Sequence, residues 1–332
     1  NGAGKSSVLE ALYLTSSFID NKDAIRRIEK FDYVVNRRGG RGNWDRSRHI
    51  LWFSMNTDED ILVELSTNNQ TYSFMIPYRD SDVWLRIPDN VKSLLGSHYD
   101  RYDLLGRGSI VKSSETGELA HIPSNVYTRI REALRKELRS LESMIFIDHQ
   151  LLSQPDKIED FAWSKVLAKR LDKEIVQMIR EEFEVDAEGL TYMPIGGTNA
   201  LALQLSKTAV RIDDLGDGAR GAILASLILL ATIPKTILIE EPEIHMHPAG
   251  LKVFTEFILK LARRKGSQII ASTHSIEFTA IASKLAEDLA INTSILFLER
   301  SPEGVVTYRR LSGVDADTLR KLGLDPRFLY VI

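Results

Sequence analysis

Asn1-Gly2-Ala3-Gly4-Lys5-Ser6-Ser7 opens the chain and runs straight into the apolar helical segment Val8, Leu9, Ala11 and Leu12. This is the close of a G-x-x-x-x-G-K-[ST] phosphate loop whose first glycine would lie two residues before Asn1. Glycines let backbone N–H groups close around phosphate oxygens, and the N-terminus of the following helix adds a favourable dipole. Lys5 is then placed for the β- and γ-phosphates and Ser6 for Mg2+, so a nucleoside triphosphate and Mg2+ are expected. Asn1, Gly2, Ala3, Gly4, Lys5, Ser6 and Ser7 are the candidate cradle. Taken alone, the heptapeptide also reads as a glycine-rich turn that caps a helix.

Carboxylates and a histidine follow much later. Thr236-Ile237-Leu238-Ile239 is a β-rich apolar run that ends on Glu240-Glu241-Pro242-Glu243 and then His245-Met246-His247-Pro248. A buried strand that delivers a carboxylate at its C-terminal edge is what a Mg2+–phosphate site in an open α/β sheet requires. Gln268 to Ser272 reads as a second short buried strand, running into Thr273-His274-Ser275. Asp214-Leu215-Gly216-Asp217-Gly218-Ala219-Arg220-Gly221 precedes the long apolar helix Ala222 to Thr232.

Phosphate loop, signature loop, paired carboxylates and histidine, in that order, resemble the ABC-type ATPases. The wording E-E-P-E-x-H-x-H-P and L-G-D-G-x-R is similar to the stand-alone group around the OLD (overcoming lysogenisation defect) proteins, relatives of the RecF, RecN and SMC ATPases. The resemblance implies an α/β P-loop NTPase of ABC-ATPase type, a mixed central sheet with an antiparallel β-subdomain and an inserted helical lobe. It implies a head-to-tail homodimer with ATP between the subunits. In OLD-type proteins a Toprim nuclease domain can follow at about this point, so a nuclease domain or partner subunit is a possible addition, and the natural chain is expected to extend beyond both ends shown.

Within that frame Ser6 and Glu240 are the Mg2+ ligands; Glu240 stands where most of the superfamily has Asp. Glu241 and His274 are the catalytic candidates. Glu241 either orients and deprotonates the attacking water or caps the turn before Pro242. His274 resembles the switch histidine that contacts the γ-phosphate, although a histidine after a strand is often structural. Gly216, Asp217 and Gly218 replace the L-S-G-G-Q wording, with Gly216 at the serine position. Backbone N–H groups and the helix N-terminus would then meet the partner's nucleotide. Arg220 either adds a cation there or faces solvent. Gln150, in Phe146-Ile147-Asp148-His149-Gln150, matches a Q-loop glutamine; Asp148 or His149 could fill the same role. His245 and His247 lack a third ligand for zinc and fit a loop across a dimer interface better.

Lys5 and Glu240 must meet although 235 positions separate them, so both ends of the sequence must build one sheet. Three segments are expected: residues 1–123 with the antiparallel subdomain, 124–189 as the helical lobe, and 190–332 with the later motifs. Residues 8–20 read as the helix after the loop. Ile50–Phe53, Ile61–Leu65 and Thr71–Ile76 read as a β meander, and 88–123 as irregular. Asn125–Leu141 and Phe161–Phe183 read as amphipathic helices, and Met144–Ile147 as a strand. After a helix over 276–290, Ile295–Leu298 and Val305–Arg309 form a hairpin closing the sheet. Asp315-Ala316-Asp317 reads as helix capping, and Phe328 to Ile332 as the start of a strand.

The net charge of −3 gives no global attraction to nucleic acid. Lys22 to His49, however, holds nine Lys and Arg against four acids, including Arg37-Arg38-Gly39-Gly40-Arg41 beside Trp44. That stretch is either a phosphate-backbone contact for DNA or a solvated mobile loop. Arg129, Arg131, Arg135, Lys136 and Arg139 alternate with Glu132, Glu137 and Glu142 as pairs along an exposed helix. With no cysteine, disulfides and thiol chemistry are excluded. The longest apolar stretch is too short to span a bilayer, so a cytoplasmic location without membrane is expected. The function implied is a Mg2+-dependent ATPase in DNA maintenance or in defence against phage and plasmids. A transporter's nucleotide-binding subunit and a non-catalytic ATP switch are the competing readings.

Overall fold

The structure, a computed structural model, describes residues 4–67, 70–183, 186–312 and 315. Asn1, Gly2, Ala3, Ala316, Asp317 and Phe328 to Ile332 lie outside them. The chain divides into two compact units: Ser7–Met144, and the residues up to Ser6 with those from Ile145 onward. These borders differ from the expected ones after residues 123 and 189, because the helix beginning at Ser124 groups with the first unit.

The Ser7–Met144 unit carries most of helix α1 (Lys5–Thr15), then α2 (Lys30–Arg37) and α3 (Trp44–Ser47). A six-stranded antiparallel meander follows: β1 (Ile61–Thr67), β2 (Gln70–Ile76), β3 (Trp84–Arg86), β4 (Leu104–Gly106), β5 (Ile110–Lys112) and β6 (Leu119–His121). Helix α4 (Asp89–Leu95) interrupts it and α5 (Ser124–Glu137) ends it. Strand β2 alternates, burying Tyr72, Phe74 and Ile76 on one face, as a sheet with one core side requires. Residues 88–123, expected to be irregular, thus hold a helix and three strands. Ile50–Phe53 is helical turn rather than strand. Trp52 pins it there, donating its indole N–H to the Glu59 carbonyl at 2.6 Å and stacking edge-on against Tyr78.

Much of the basic stretch is helical, and several of its cations have partners within the fold. Arg37 and Arg38 both bind the buried carboxylate of Glu10, at 2.8 and 2.6 Å. Trp44 is buried with its indole N–H on the Ser81 carbonyl. Lys30 is 1% exposed, donating to Ser16 at 2.7 Å. The second basic cluster also departs from pairing along its own helix. Arg131 donates to the Ile19 carbonyl and Arg135 to Asp20, while Glu137 accepts from Tyr72 and Asn90. Buried charges persist only when paired, which accounts for the partners of Glu10 and Lys30.

The other unit begins with β7 (Ile145–Ile147) and α6 (His149–Leu152). The single helix expected over 161–183 is two, α7 (Pro155–Ala168) and α8 (Asp172–Phe183). Arg170 takes a left-handed φ of 55° between them; the N–H of Leu171 bonds to the Val166 carbonyl and that of Arg170 to Leu167, a helix-ending pattern. Next come the antiparallel strands β8 (Ala187–Ile195), β9 (Thr198–Leu205) and β10 (Ala209–Arg211), and the buried helix α9 (Asp217–Ala231). Then β11 (Thr236–Glu240), α10 (Pro248–Lys265), β12 (Gln268–Ser272), α11 (Ile276–Asp288) and the hairpin β13 (Ile295–Arg300) and β14 (Val306–Leu311) complete it. Strand β11 lies between β12 and β7, parallel to both. Ile237, Leu238 and Ile239 are all buried, the continuous apolar run of a strand covered on both faces. Among the described residues β13 and β14 pair only with each other, so the hairpin does not close that sheet.

Burial pulls the Lys30 ammonium down to about 8, against Asp20 and Asp23, which raise it. Between pH 8 and 10 the unfolded chain therefore holds a proton that the folded one has lost, and stability rises with pH. Urea unfolding over that range is expected to show wild type gaining on Lys30→Met by up to about 1.4 kcal/mol per pH unit. A difference between the two that stays flat with pH contradicts this.

Candidate nucleotide site

The site is built where α1 starts and β11 and β12 stop. Gly4 has φ 84°, a left-handed turn that glycine adopts without strain, and it leads directly into α1. Lys5 and Ser6 are the first two helical residues, where N–H groups have no partner inside the helix. Strand β11 places Glu240 at its end, in register with Ser272 of β12. The chain then turns sharply: Glu241 takes φ 47°, unusual for a residue with a side chain, and its N–H donates to the Ser272 carbonyl at 2.8 Å. Strain of this kind persists only where the surroundings over-determine it.

Side chains from the two ends of the chain meet there. The Ser6 hydroxyl donates to Glu240 Oε1 at 2.6 Å. Lys5 Nζ lies 3.3 Å from His274 Nδ1, and His274 Nε2 lies 3.2 Å from Glu241 Oε1. A charged Lys5 ammonium can only donate, so Nδ1 would accept from it, and a ring protonated on Nε2 would donate to Glu241. Burial lowers the Lys5 pKa, while the charges of Glu241 and Glu243 raise it in opposition.

Glu243, in the turn after β11, reaches the loop that follows β12. Its Oε1 accepts from Thr273 Oγ1 at 2.6 Å and from the His274 N–H at 3.0 Å. Its Oε2 is buried without a hydrogen-bond partner among the described residues. An unpaired buried oxygen of this kind costs on the order of 1–3 kcal/mol.

Ser6 and Glu240 suit Mg2+. Both are hard oxygen donors, already within one hydrogen bond of each other, and Mg2+ keeps its other positions for water and phosphate. They would hold the ion, which when bound would neutralise charge developing on the phosphates. His247 is committed elsewhere, accepting from the Ala249 N–H at the start of α10, and His245 stands beside His149 with ring centroids 6.2 Å apart.

The remaining candidates are dispersed. Ser7 accepts from Arg38 at 2.8 Å within the Ser7–Met144 unit. Gln150 is exposed in the first turn of α6, just beyond β7, and Asp148 caps that helix through the Leu151 N–H at 2.9 Å. Gly216 is the N-cap of α9, with Asp217 and Gly218 in its first turn. Arg220 does not face solvent: it binds Asp213 at 2.8 Å and the Leu152 carbonyl at 3.3 Å. The first turn of α9 presses on the turn after β11, where a Cβ on Gly218 would sit 2.6 Å from the His245 carbonyl oxygen.

A helix start bearing Lys5 and Ser6, met by a strand-end carboxylate, a second carboxylate and a histidine, fits a P-loop ATPase. Residues 1–280 match the family described as "AAA domain, putative AbiEii toxin, Type IV TA system", and the chain belongs to it. Among curated proteins, the energy-coupling factor transporter ATP-binding protein EcfA2 of Bacillus thuringiensis (strain Al Hakam) is 32% identical over 98 residues, 29% of this chain and 30% of that protein. The OLD nuclease of Thermus scotoductus is 32% identical over 94 residues, 26% of this chain and 18% of that protein. The chain thus spans less than a third of the length of these relatives. Among solved structures, the SMC head domain from Thermotoga maritima aligns over 94% of this chain and 88% of its own, at 12% identity and TM-score 0.42. An SMC head bound to the C-terminal winged-helix domain of ScpA gives 14%, with the same coverage and a TM-score of 0.44.

The contact at Gly218 is testable. Alanine there must push the start of α9 off a backbone carbonyl, whereas Gly216 has open space around it. Gly218→Ala is expected to lose about 1–3 kcal/mol of stability, read as a lowered thermal midpoint. Gly216→Ala should melt with the wild type. Equal midpoints for all three proteins would show that the close approach is not maintained.

Proposed function

We propose that the chain is the ATP-hydrolysing part of a Mg2+-dependent enzyme that works as a head-to-tail dimer with ATP held between two copies. The observation that carries this reading is the meeting of Ser6 with Glu240 and of Lys5 with His274 and Glu241. In the proposed reaction Lys5 leaves His274 for the β- and γ-phosphate oxygens, and Ser6 and Glu240 hold Mg2+. Glu241 orients the attacking water and accepts its proton. His274, between Lys5 and Glu241, would sense the γ-phosphate. Gly216, Asp217 and Gly218 at the start of α9 would contact the nucleotide of the second copy through backbone N–H groups. Gln150 stands as the Q-loop candidate beyond β7.

The biological task follows the relatives. Family membership and the match to the OLD nuclease support a role in defence against foreign DNA or in DNA maintenance, with a nuclease domain or partner subunit as the effector. DNA contact, if made, falls outside Arg37 and Arg38, whose guanidinium groups are taken by Glu10. The match to EcfA2 supports a second reading, the nucleotide-binding subunit of a transporter. No helix of the described residues is long and apolar enough to cross a membrane.

Glu241→Gln separates binding from hydrolysis. Turnover is expected to fall by roughly 10²–10⁴-fold while MgATP still binds. Light scattering should then show a dimer only with MgATP present. Unchanged turnover would move the base elsewhere. A monomer with ATP demonstrably bound would refute the sandwich.

A further inference from the structure

We infer that Glu243 is a positioning residue: it anchors the loop after β12 so that His274 is held between Lys5 and Glu241. The inference deepens the ATPase reading and rests on it. One carboxylate oxygen of Glu243 takes the Thr273 hydroxyl at 2.6 Å and the His274 backbone N–H at 3.0 Å. The same Thr273 hydroxyl oxygen accepts the Ser275 N–H at 2.8 Å, and Ser275 caps α11 through the Phe278 N–H. Three consecutive residues of the loop are therefore tied, directly or through one hydroxyl, to a single oxygen.

That oxygen belongs to the turn after β11, in which the Glu241 carbonyl accepts the Ile244 N–H and the Glu243 carbonyl accepts the Met246 N–H, both at 3.1 Å. Glu241 N–H is itself fixed to the Ser272 carbonyl. The two strand ends are thus joined twice, once by backbone and once by the Glu243 side chain. The backbone bond sets where Glu241 starts; the side-chain bonds set where His274 starts. Neither residue could be displaced without moving the 3.2 Å contact between them.

The buried, unpartnered Oε2 supports a positioning role over simple packing. A carboxylate serving only the fold would be better replaced by a group with both ends satisfied. The charge of Glu243 is also felt at Lys5, whose pKa it raises. Glu243 touches neither Lys5 nor Glu241 in any hydrogen bond of the site, so its effect on the chemistry runs through His274.

Variants at Glu243, Thr273 and His274 and one spectroscopic signal test this. Glu243→Ala is expected to lower turnover about 10–100-fold with the KM for ATP within about threefold, because binding groups stay in place. Glu243→Gln keeps an oxygen for both donors and should restore most of the loss. Thr273→Val, which removes the hydroxyl but not the carboxylate, should fall between. Because Glu243 acts through His274, Glu243→Ala in a His274→Ala background should cost no more than about threefold further. The imidazole 15N resonances of His274, assigned from the His274→Ala spectrum, should shift in Glu243→Ala and stay near their wild-type positions in Glu243→Gln. An equal fold-loss in both backgrounds, or unmoved His274 resonances in Glu243→Ala, overturns the inference. If the wild type fails to hydrolyse ATP, the ATPase reading falls, and the His274 resonances alone still decide whether Glu243 anchors the loop.

Discussion

A hydroxyl on the first turn of α1 and a carboxylate at the end of β11 share one hydrogen bond of 2.6 Å, although 234 positions separate them in sequence. Everything else in the site depends on that meeting. It needs β11 to be fixed, and β11 is fixed because it runs between two parallel partners with Ile237, Leu238 and Ile239 buried. It also needs α1 to begin abruptly, which Gly4 permits by turning at a positive φ. Once the strand end and helix start are set, Glu241 has to turn at φ 47°, and its N–H bond to Ser272 brings the end of β12 into the same corner. The strain at Glu241 therefore sits between two fixed elements, where strain in active sites is sustained.

The polar groups of the Ser7–Met144 unit follow a different logic. There the charges mostly serve the fold. Glu10, 3% exposed, is tolerable only because Arg37 and Arg38 both reach it. Asp23 is similar. Burial pushes its carboxyl up, but Arg26, the Tyr13 hydroxyl and backbone N–H bonds together bring it below the ordinary range. A stretch that looks like an electrostatic footprint in the sequence is largely an internal network. Basic composition alone does not separate those cases; the count of nearby carboxylates, including distant ones such as Glu10, does.

The residues of the candidate site were marked in the sequence, while the strands and helices around them were marked only in part. Loop, paired carboxylates and histidine are local words with strict physical requirements, and the structure brings Lys5, Ser6, Glu240, Glu241 and His274 together. Antiparallel strands were largely missed. Leu104–Gly106, Ile110–Lys112 and Leu119–His121 are three residues each, too short for alternation to appear. The hairpin β8–β9 did carry a signal, Gly196-Gly197 with φ 55° and 86° between two β-rich runs, the turn that suits the strand twist. The break at Arg170 left no mark because a left-handed arginine ends the helix where glycine would announce it. Glu243 gave no local signal of its contacts, because its partners Thr273 and His274 lie some 30 positions onward.

The central claim is that Ser6 and Glu240 act as one metal site supplied by opposite ends of the sequence. Calorimetry of ATP binding with and without Mg2+, on wild type, Ser6→Ala, Glu240→Gln and the double variant, tests it most directly. The account predicts that each single change removes most of the Mg2+-dependent gain in affinity, and that the double variant is weaker than the worse single by no more than about threefold. Losses that simply add, or a Mg2+-dependent gain that survives either change, would contradict it.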